Sequence, residues 1–342
     1  MKTKPKTETT TQHRLAKIVE AFPRLTVAVL GDLVADEFVF GEISRVSREA
    51  PVLILKHRER NIVPGGGANA IYNLAALEVN VLPVGVVGDD EAGRALLHQF
   101  RQKHIPLGGI LKLKGRVTVT KTRILAGMAH TSRQQVVRVD REPQETLDRH
   151  TVRELIMGAR QYARAADALL ISDYGYGAAS PEILTAIRSR GALDSMPVTL
   201  DSRYRLLEYT GITASTPNEP EVEEALGFQI GSNNGLLMKA GQTLLQRMQL
   251  ESLVITRGRD GMVAFAKKRA PVEIPIHGSG QVADVTGAGD TVIATFTAAL
   301  AAGASAEDAA RLANIAGGIV VMKRGTATCS RQELMREINR GT

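Results

Sequence analysis

A glycine-rich turn that ends in a carboxylate, Gly287-Ala288-Gly289-Asp290, precedes an Ala-rich run that predicts a helix over 292–302. Glycines let backbone N–H groups converge without side-chain clash, and a helix start adds unpaired N–H donors and the positive end of the helix dipole. We therefore interpret the turn as a pocket for an anion such as a transferring phosphoryl group. Asp290 would reach a hydroxyl that approaches this group, which suits hydroxyl phosphorylation. A glycine turn with a capping aspartate is the simpler alternative.

Asn218 and Glu221 stand three residues apart, where a predicted strand gives way to a helix that starts at a proline. Side chains at this spacing face the same way on a helix. An amide and a carboxylate there suit the hydrated shell of a Mg²⁺–nucleotide complex, with the ion held through water. The alternative is an ordinary proline-started helix whose acidic first turn complements its dipole.

Candidate sugar ligands follow the first predicted strand, which ends at residues 31–32. Asp36 is one, because ligands of open α/β sheets bind beyond the carboxyl ends of strands and a carboxylate accepts hydrogen bonds from hydroxyls. Gly66, Gly67 and Asn69 open a predicted helix, where the backbone could approach a polyol closely and Asn69 could donate and accept. The same stretch satisfies G-x-G-x-x-A, so an NAD-dependent oxidoreductase is an alternative, although that fingerprint normally follows the first strand directly.

A nucleotide would be held without a Walker A motif, since GxxxxGK[ST] does not occur in the chain. The glycine turn would hold the phosphates instead. Thr256, Gly258 and Gly261 follow a predicted strand in a tight turn, and Asn314 lies on the helix after the glycine-turn helix. We interpret these four residues as the lining of a nucleotide base pocket, while ordinary turn and helix chemistry would explain them equally well.

The composition narrows the class of protein. The 342 residues are 44% hydrophobic but only 4% aromatic, so a sizeable core must be aliphatic. The net charge of +7 is scattered and not interleaved with aromatics, which favours attraction of phosphorylated metabolites over nucleic-acid binding. The single cysteine excludes an intrachain disulfide and fits a cytoplasmic protein. We expect neither a signal peptide nor a membrane span, because no apolar run is long enough.

Short apolar strands alternate with helical stretches along most of the chain. This alternation predicts an α/β fold with a doubly wound, mostly parallel sheet and helices on both faces. Period-2 patterns within 37–57 and 116–139 predict antiparallel strands of a small inserted sheet, which would be a lid, a homodimer surface or both. We expect one domain over 21–342, after a disordered tail over 1–20 that is rich in Thr and Lys.

The order of the glycine motif, an N-x-x-E motif and a D-x-x-G-A-G-D motif resembles the ribokinase-like (PfkB) carbohydrate kinases over about residues 25–330. Within that family the chain is similar to the D-glycero-D-manno-heptose 7-phosphate kinases of ADP-heptose synthesis for lipopolysaccharide, in the stretches 44–52, 134–140, 172–175 and 323–328. This resemblance implies phosphorylation of the C1 hydroxyl of that sugar phosphate, with ATP and Mg²⁺. Some members carry a nucleotidyltransferase domain after the kinase, and we expect that activity to be elsewhere or absent here.

Carried over to this sequence, the resemblance implies that Asp290 is the base and that Gly287, Ala288 and Gly289 form the anion hole. It implies that Asn218 and Glu221 organise Mg²⁺ and phosphates. The residues that it places near the nucleotide are Thr256, Gly258 and Asn314. The residues that it assigns to the sugar are Asp36, Gly66, Gly67, Asn69, Arg138 and Asp173.

Three stretches depart from the heptose kinases. Residues 37–39 are Glu-Phe-Val in place of Arg-Tyr-Trp, Tyr176 replaces a lysine, and residues 201–203 are Asp-Ser-Arg in place of Asp-Pro-Lys. These positions lie on the expected sugar side of the site, so the resemblance supports kinase chemistry more directly than it supports the choice of sugar. The alternatives are a ribokinase-family kinase for another sugar, sugar phosphate or nucleoside, and a non-catalytic sugar-binding regulator of the same fold.

Overall fold

The computed structural model describes residues 6–127, 134–189, 191, 193–194, 196–278 and 283–340, with the side chains of 6–9 left aside. The helices are α1 Lys6–Ala21, α2 Gly67–Ala76, α3 Glu91–Gln102, α4 Arg149–Ala163, α5 Pro181–Arg188, α6 Glu219–Leu226, α7 Asn234–Arg247, α8 Ala288–Ala301, α9 Ala306–Val321 and α10 Arg331–Arg340. The strands are β1 Thr26–Gly31, β2 Leu33–Val46, β3 Leu53–Gly66, β4 Asn80–Gly88, β5 Ile110–Leu113, β6 Val119–Gly127, β7 Gln134–Arg141, β8 Ala168–Asp173, β9 Val198–Ser202, β10 Ala214–Ser215, β11 Ser252–Thr256, β12 Met262–Ala266 and β13 Val272–Ile274.

The main sheet has the strand order β13-β12-β11-β10-β9-β8-β1-β4-β5. Its strands run parallel from β11 to β5, and β12 and β13 are antiparallel at one edge. Parallel strands need crossover helices that cover both faces, so their sequences become continuously apolar. The predicted doubly wound, mostly parallel sheet is confirmed.

Two apolar cores lie on opposite faces of this sheet. Along β1, Val27 and Val29 face the core built with α1, α2, α3, α8, α9 and α10, while Ala28 and Leu30 face the core built with α4, α5, α6 and α7. Successive side chains of a strand point to opposite faces, which explains why β1 is continuously apolar from Val27 to Leu30. No helix within the described ranges is both long and apolar enough to cross a membrane.

A second, four-stranded sheet has the order β3-β2-β6-β7, and we call it the lid. Its two outer pairs, β2–β3 and β6–β7, are antiparallel as predicted, but the central pair β2–β6 is parallel. The expectation of a wholly antiparallel lid is therefore wrong at its centre. Two hairpins from distant parts of the chain meet there side by side, and local sequence patterns carry no information about that orientation. Residues 128–133, between β6 and β7, lie outside the described residues.

The tail predicted to be disordered over 1–20 instead forms α1 from Lys6 onward. Leu15 and Val19, four residues apart on one face, are buried in the core, and Arg14 pairs with Asp308 of α9 at 2.7 Å. Residues four apart share a helix face, so this spacing marks a packed helix. The Thr- and Lys-rich first half of the segment obscured that signal, which lies in its second half.

Shortening Leu15 to alanine should lower the free energy of unfolding by about 2–5 kcal/mol, because the side chain is buried and would leave a cavity. Chemical denaturation measures this loss. Lys17→Ala, on the exposed face of the same helix, should change stability little. Equal stability of the Leu15→Ala variant and the unaltered protein would show that α1 is not packed as described.

Candidate active site

A cavity of about 280 Å³ lies between the lid and the carboxyl ends of the central strands of the main sheet. The position is the one at which open α/β sheets bind ligands. Its walls come from both sheets and from the starts of two helices. The residues that line it are Val34, Asp36, Gly66, Lys121, Arg123, Arg138, Tyr174, Asp201, Arg203, Thr216, Asn218, Glu221, Thr256, Val285, Thr286, Gly287, Gly289 and Asp290.

Asp290 lies in the first turn of α8, and its carboxylate borders the cavity. The side-chain amide of Asn69 donates to Oδ2 and the hydroxyl of Tyr174 donates to Oδ1, each at 2.8 Å. Asn73 in turn donates to the side-chain oxygen of Asn69 at 3.1 Å. Both oxygens of Asp290 are therefore held by side chains from other motifs, and the carboxylate has a fixed orientation.

Burial and the neighbouring carboxylate of Asp201 raise the pKa of Asp290 to about 8, and the hydrogen bonds from Asn69 and Tyr174 oppose that rise. Burial penalises the charged form of a carboxylic acid, whereas donors to the carboxylate favour it. A carboxyl group whose pKa is raised towards neutrality is suited to proton transfer. The role of Asp290 as the base stays a prediction.

The glycine turn places its backbone at the cavity wall. Gly287 has φ +78°, and a Cβ there would lie 2.6 Å from the side-chain nitrogen of Asn69, so the turn requires glycine. Gly289 borders the cavity, and a Cβ on it would meet no atom within 4 Å. The N–H of Ala288 donates to the carbonyl of Val285 at 3.2 Å, so of the three predicted anion-hole residues Ala288 does not have a free amide.

Asn218 and Glu221 both reach the cavity at the start of α6, where they form a capping box. Asn218 Oδ1 accepts the Glu221 N–H and Glu221 Oε2 accepts the Asn218 N–H, each at 2.9 Å. The capping box thus engages Asn218 Oδ1 and Glu221 Oε2 and leaves the Asn218 NH₂ group and Glu221 Oε1 outside it. A carboxylate oxygen is the stronger ligand for a divalent cation, so Glu221 is the better metal ligand of the predicted pair.

Asp201, at the end of β9, stands beside Glu221 and was not predicted as a site residue. Burial raises the pKa of both carboxyl groups; repulsion from Glu221 adds to the rise at Asp201, and repulsion from Asp290 adds to the rise at Glu221. Two carboxylates crowded into one cavity wall suit a divalent cation with oxygen ligands. The sequence signal was the position itself, because Asp201 follows a buried strand just as Asp36 does.

Four cationic side chains border the same cavity: Lys121, Arg123, Arg138 and Arg203. Asp36 pairs with Arg123 at 2.6 Å, and Asp140 pairs with Arg138 at 2.9 Å. Lys121 instead lies over the rings of Tyr174 and Tyr176, with its nitrogen 5.2 and 6.0 Å from their centroids. Only Arg138 was predicted, since a period-2 strand pattern does not reveal which of its charges face a cleft.

Asp173 and Gly67 are not at the cavity, although both were predicted to bind the sugar. Asp173 is buried and accepts hydrogen bonds from Arg205, Ser202 and Tyr209, so its oxygens organise the loop after β8. A Cβ on Gly67 would lie 2.9 Å from the carbonyl oxygen of Asp32, so Gly67 serves close packing of α2 on β1. Asn69 is turned to Asp290 and does not border the cavity.

The predicted nucleotide residues divide into two groups. Thr256 borders the cavity beside Asn218, with which it forms a parallel bridge. Gly258 and Gly261 have positive φ in the turn between β11 and β12 and do not line the cavity. Asn314 donates to the carbonyl of Pro275 at 2.8 Å and borders a separate cavity of about 360 Å³ beside α1. Their role in holding a base stays a prediction.

Comparison with known sequences agrees with this geometry. A family model described as pfkB family carbohydrate kinase matches residues 26–333. The bifunctional protein HldE of Geobacter sulfurreducens is 38% identical over 312 residues, which are 91% of this chain and 62% of that protein. HldE of Caulobacter sp. strain K31 is 39% identical over 324 residues, 94% of this chain and 64% of that protein. The chain spans less than two thirds of the length of these curated relatives.

Solved structures share the fold. The ribokinase of Arabidopsis thaliana, complexed with ribose and ATP, superposes with a TM-score of 0.69 at 19% identity and covers 91% of this chain and 98% of that chain. Phosphofructokinase-2 of Escherichia coli, in complex with substrates and products, gives a TM-score of 0.73 at 17% identity and covers 92% of this chain and 99% of that chain. The main sheet and the lid together are therefore a ribokinase-like fold.

Proposed function

The chain belongs to the pfkB family of carbohydrate kinases, and from that premise we propose that it transfers the γ-phosphoryl group of ATP to the C1 hydroxyl of D-glycero-D-manno-heptose 7-phosphate. The observation that carries the proposal is the buried Asp290 carboxylate, held at the start of α8 beside a glycine turn that opens on the cavity. The cytoplasm, where ATP and sugar phosphates meet, is the compartment that we propose.

In the proposed reaction the sugar oxygen attacks the γ-phosphorus and its proton passes to Asp290. The bond between the γ-phosphorus and the bridging oxygen breaks, and ADP leaves with the electron pair. The backbone N–H groups around Gly289 and the dipole of α8 stabilise negative charge on the transferring group. Asn69 and Tyr174 keep the carboxylate facing the acceptor hydroxyl.

A phosphate on the acceptor explains the cationic wall of the cavity. Two carboxylates act on Lys121, those of Asp36 and Asp140. Each of them pairs with an arginine, and Lys121 lies over the faces of two tyrosines instead. Burial lowers the pKa of Lys121, and repulsion from Arg203 and Arg138 adds to that effect. An anionic substituent on the sugar would supply the missing counter-charge, which favours a sugar phosphate over a neutral sugar.

A divalent cation fits the opposite wall. Glu221 and Asp201 offer buried carboxylate oxygens whose negative charge a cation would neutralise, while the NH₂ group of Asn218 could donate to a phosphate oxygen. Bound there with the nucleotide, Mg²⁺ would neutralise charge on the phosphates. Asn218 would then act on the phosphates of the nucleotide, one of the two roles expected for it.

The choice of heptose rests on relatives named HldE, of which seven are 37–39% identical to this chain and an eighth is 35% identical. Of the replaced residues, 37–39 lie in strand β2 of the lid, Tyr176 lies beneath Lys121 of the lid, and Asp201 and Arg203 border the cavity. Another sugar phosphate is therefore the second candidate. The nucleotidyltransferase activity of some family members is not proposed for the residues described.

The test is ADP release from Mg·ATP with a panel of acceptors: the heptose 7-phosphate, the unphosphorylated heptose, fructose 6-phosphate, ribose and a nucleoside. Selective turnover of the heptose 7-phosphate is the expected result. Turnover of a different sugar phosphate would keep the kinase chemistry and discard the heptose. Binding of a sugar without turnover of any acceptor would support the non-catalytic regulator.

We also propose that the protein forms a homodimer through the lid. Large apolar side chains in the lid, and in the turn between β2 and β3, are 43–59% exposed. Val136, Val137 and Val139 lie on the edge strand β7, and Val46, Val52 and Leu53 lie at the β2–β3 turn. An exposed apolar sheet edge favours association. In sedimentation, Val137→Glu should shift the protein from dimer to monomer, and Met157→Glu, exposed on α4, should not. A monomeric unaltered protein would contradict this assembly.

A further inference from the structure

Tyr174 joins the base, the glycine motif and the lid at one point. Its hydroxyl donates to Oδ1 of Asp290 at 2.8 Å, and Lys121 of β6 lies over its ring. A Cβ on Gly66 would lie 3.2 Å from the ring, so the glycine motif leaves the space in which the tyrosine sits. The side chain thus contacts three separate parts of the cavity wall.

The loop that carries Tyr174 is fixed from beneath by Asp32. The backbone N–H groups of Tyr174 and Tyr176 donate to Oδ2 of Asp32, each at 2.9 Å, and that of Ala178 donates to Oδ1 at 2.8 Å. Asp32 is 1% exposed, so these donors meet no competition from water. Three bonds from one loop to one buried carboxylate hold the tyrosine hydroxyl in place before any substrate binds.

Several charges act on Asp290 and oppose one another. The carboxylates of Asp201 and Asp36 disfavour its ionisation, whereas the donors Asn69 and Tyr174 favour it. The other charged groups that border the cavity are Glu221, Lys121, Arg123, Arg138 and Arg203. Burial holds the pKa of Tyr174 well above its usual value, so its hydroxyl remains a donor throughout the working range of pH.

We propose that Tyr174 is a positioning residue for phosphoryl transfer, whose hydroxyl holds the Asp290 carboxylate turned towards the acceptor hydroxyl and favours its ionised form. This rests on the proposed kinase function. The hydroxyl supplies one of the two donors that offset the desolvation of Asp290 and the repulsion from its acidic neighbours. Without the hydroxyl, Oδ1 would be a buried acceptor without a partner, and the protonated form of Asp290 would become more stable relative to the ionised form.

The test is the pH dependence of kcat for the unaltered protein, Tyr174→Phe and Tyr209→Phe. Tyr209 is the matched control, because it is also buried and its hydroxyl also donates to a buried carboxylate, that of Asp173 at 2.9 Å, away from the cavity. Tyr174→Phe should lower kcat at pH 7 by about tenfold and move the acid limb up by about one pH unit. The difference should vanish well above the raised pKa, and the pH profile of Tyr209→Phe should keep the acid limb of the unaltered protein.

A pH profile of Tyr174→Phe that superposes on that of the unaltered protein would overturn the proposal. So would a uniform loss at every pH with a lowered melting temperature, since that is the signature of a merely structural role. The proposed function fails separately, if the unaltered protein shows no kinase activity with any acceptor. KM for ATP should stay within about twofold in Tyr174→Phe, because the hydroxyl is bonded to the base and not to the predicted nucleotide residues.

Discussion

Replacing Asp290 with asparagine should lower kcat by at least about 10²–10⁴-fold, the usual contribution of a general base. An amide has nearly the size of the carboxylate but cannot accept the proton of the acceptor hydroxyl. The fold should survive, because asparagine can still bond to Asn69 or Tyr174 in that pocket. Steady-state kinetics with the heptose 7-phosphate, together with thermal unfolding, measure the two effects.

The matched control for this change is Glu224→Gln, which removes one negative charge from the exposed face of α6. It should leave kcat unchanged. KM for ATP should change little in Asp290→Asn, since Asp290 is proposed to act on the acceptor and not on the nucleotide. Near-normal turnover by Asp290→Asn would remove Asp290 from the mechanism, and the raised pKa would then need another explanation.

Replacing Lys121 with methionine should lower kcat/KM for the sugar phosphate by about 10–10²-fold, mostly through KM, because a hydrogen bond to a charged group contributes about 1.5–3 kcal/mol. Methionine keeps an unbranched apolar stem over the ring of Tyr174. The kcat/KM for the unphosphorylated sugar should fall far less, since that sugar has no anion for the ammonium group to contact. Initial rates with the two acceptors, measured side by side, give the comparison.

Lys103→Met is the control for Lys121→Met. Lys103 lies over the ring of Tyr72 at 5.7 Å, so the same kind of contact is removed away from the cavity. This variant should not alter the preference between acceptors. If Lys121→Met lowered kcat/KM equally for both acceptors, Lys121 would serve the architecture of the lid, and the anion of the substrate would have to be bound elsewhere.

Local sequence patterns were sufficient to predict which residues meet in much of the site. The glycine turn, the capping box of α6 and the carboxylate after β1 each have a signature within a few residues, and the structure places Gly287, Gly289, Asn218, Glu221 and Asp36 around one cavity. Alternating strands and helices were sufficient for the main sheet, because burial on both faces forces continuous apolar runs. The roles of these residues in binding and transfer remain predictions.

The hydrogen-bond partners of Asp290, the proposed base, could not be predicted from the sequence. Asn69 and Tyr174 lie 221 and 116 residues from Asp290, and their donors meet it only because α2, β8 and α8 converge at one end of the sheet. For the same reason the sequence led to the prediction that Asn69 and Asp173 bind the sugar. The direction of a side chain, which decided both cases, depends on packing between distant elements.

The sequence by itself determined the class of fold, the family and the reactive residue types, because periodicity and turn chemistry are local properties of the chain. Only the tertiary structure decided which charges are paired and which are left facing the cavity. It also decided the raised pKa of Asp290, since desolvation and the repulsion from Asp201 exist only when the chain has folded around them. Composition gives the charges of a protein, but their energies depend on burial and distance, which long-range contacts set.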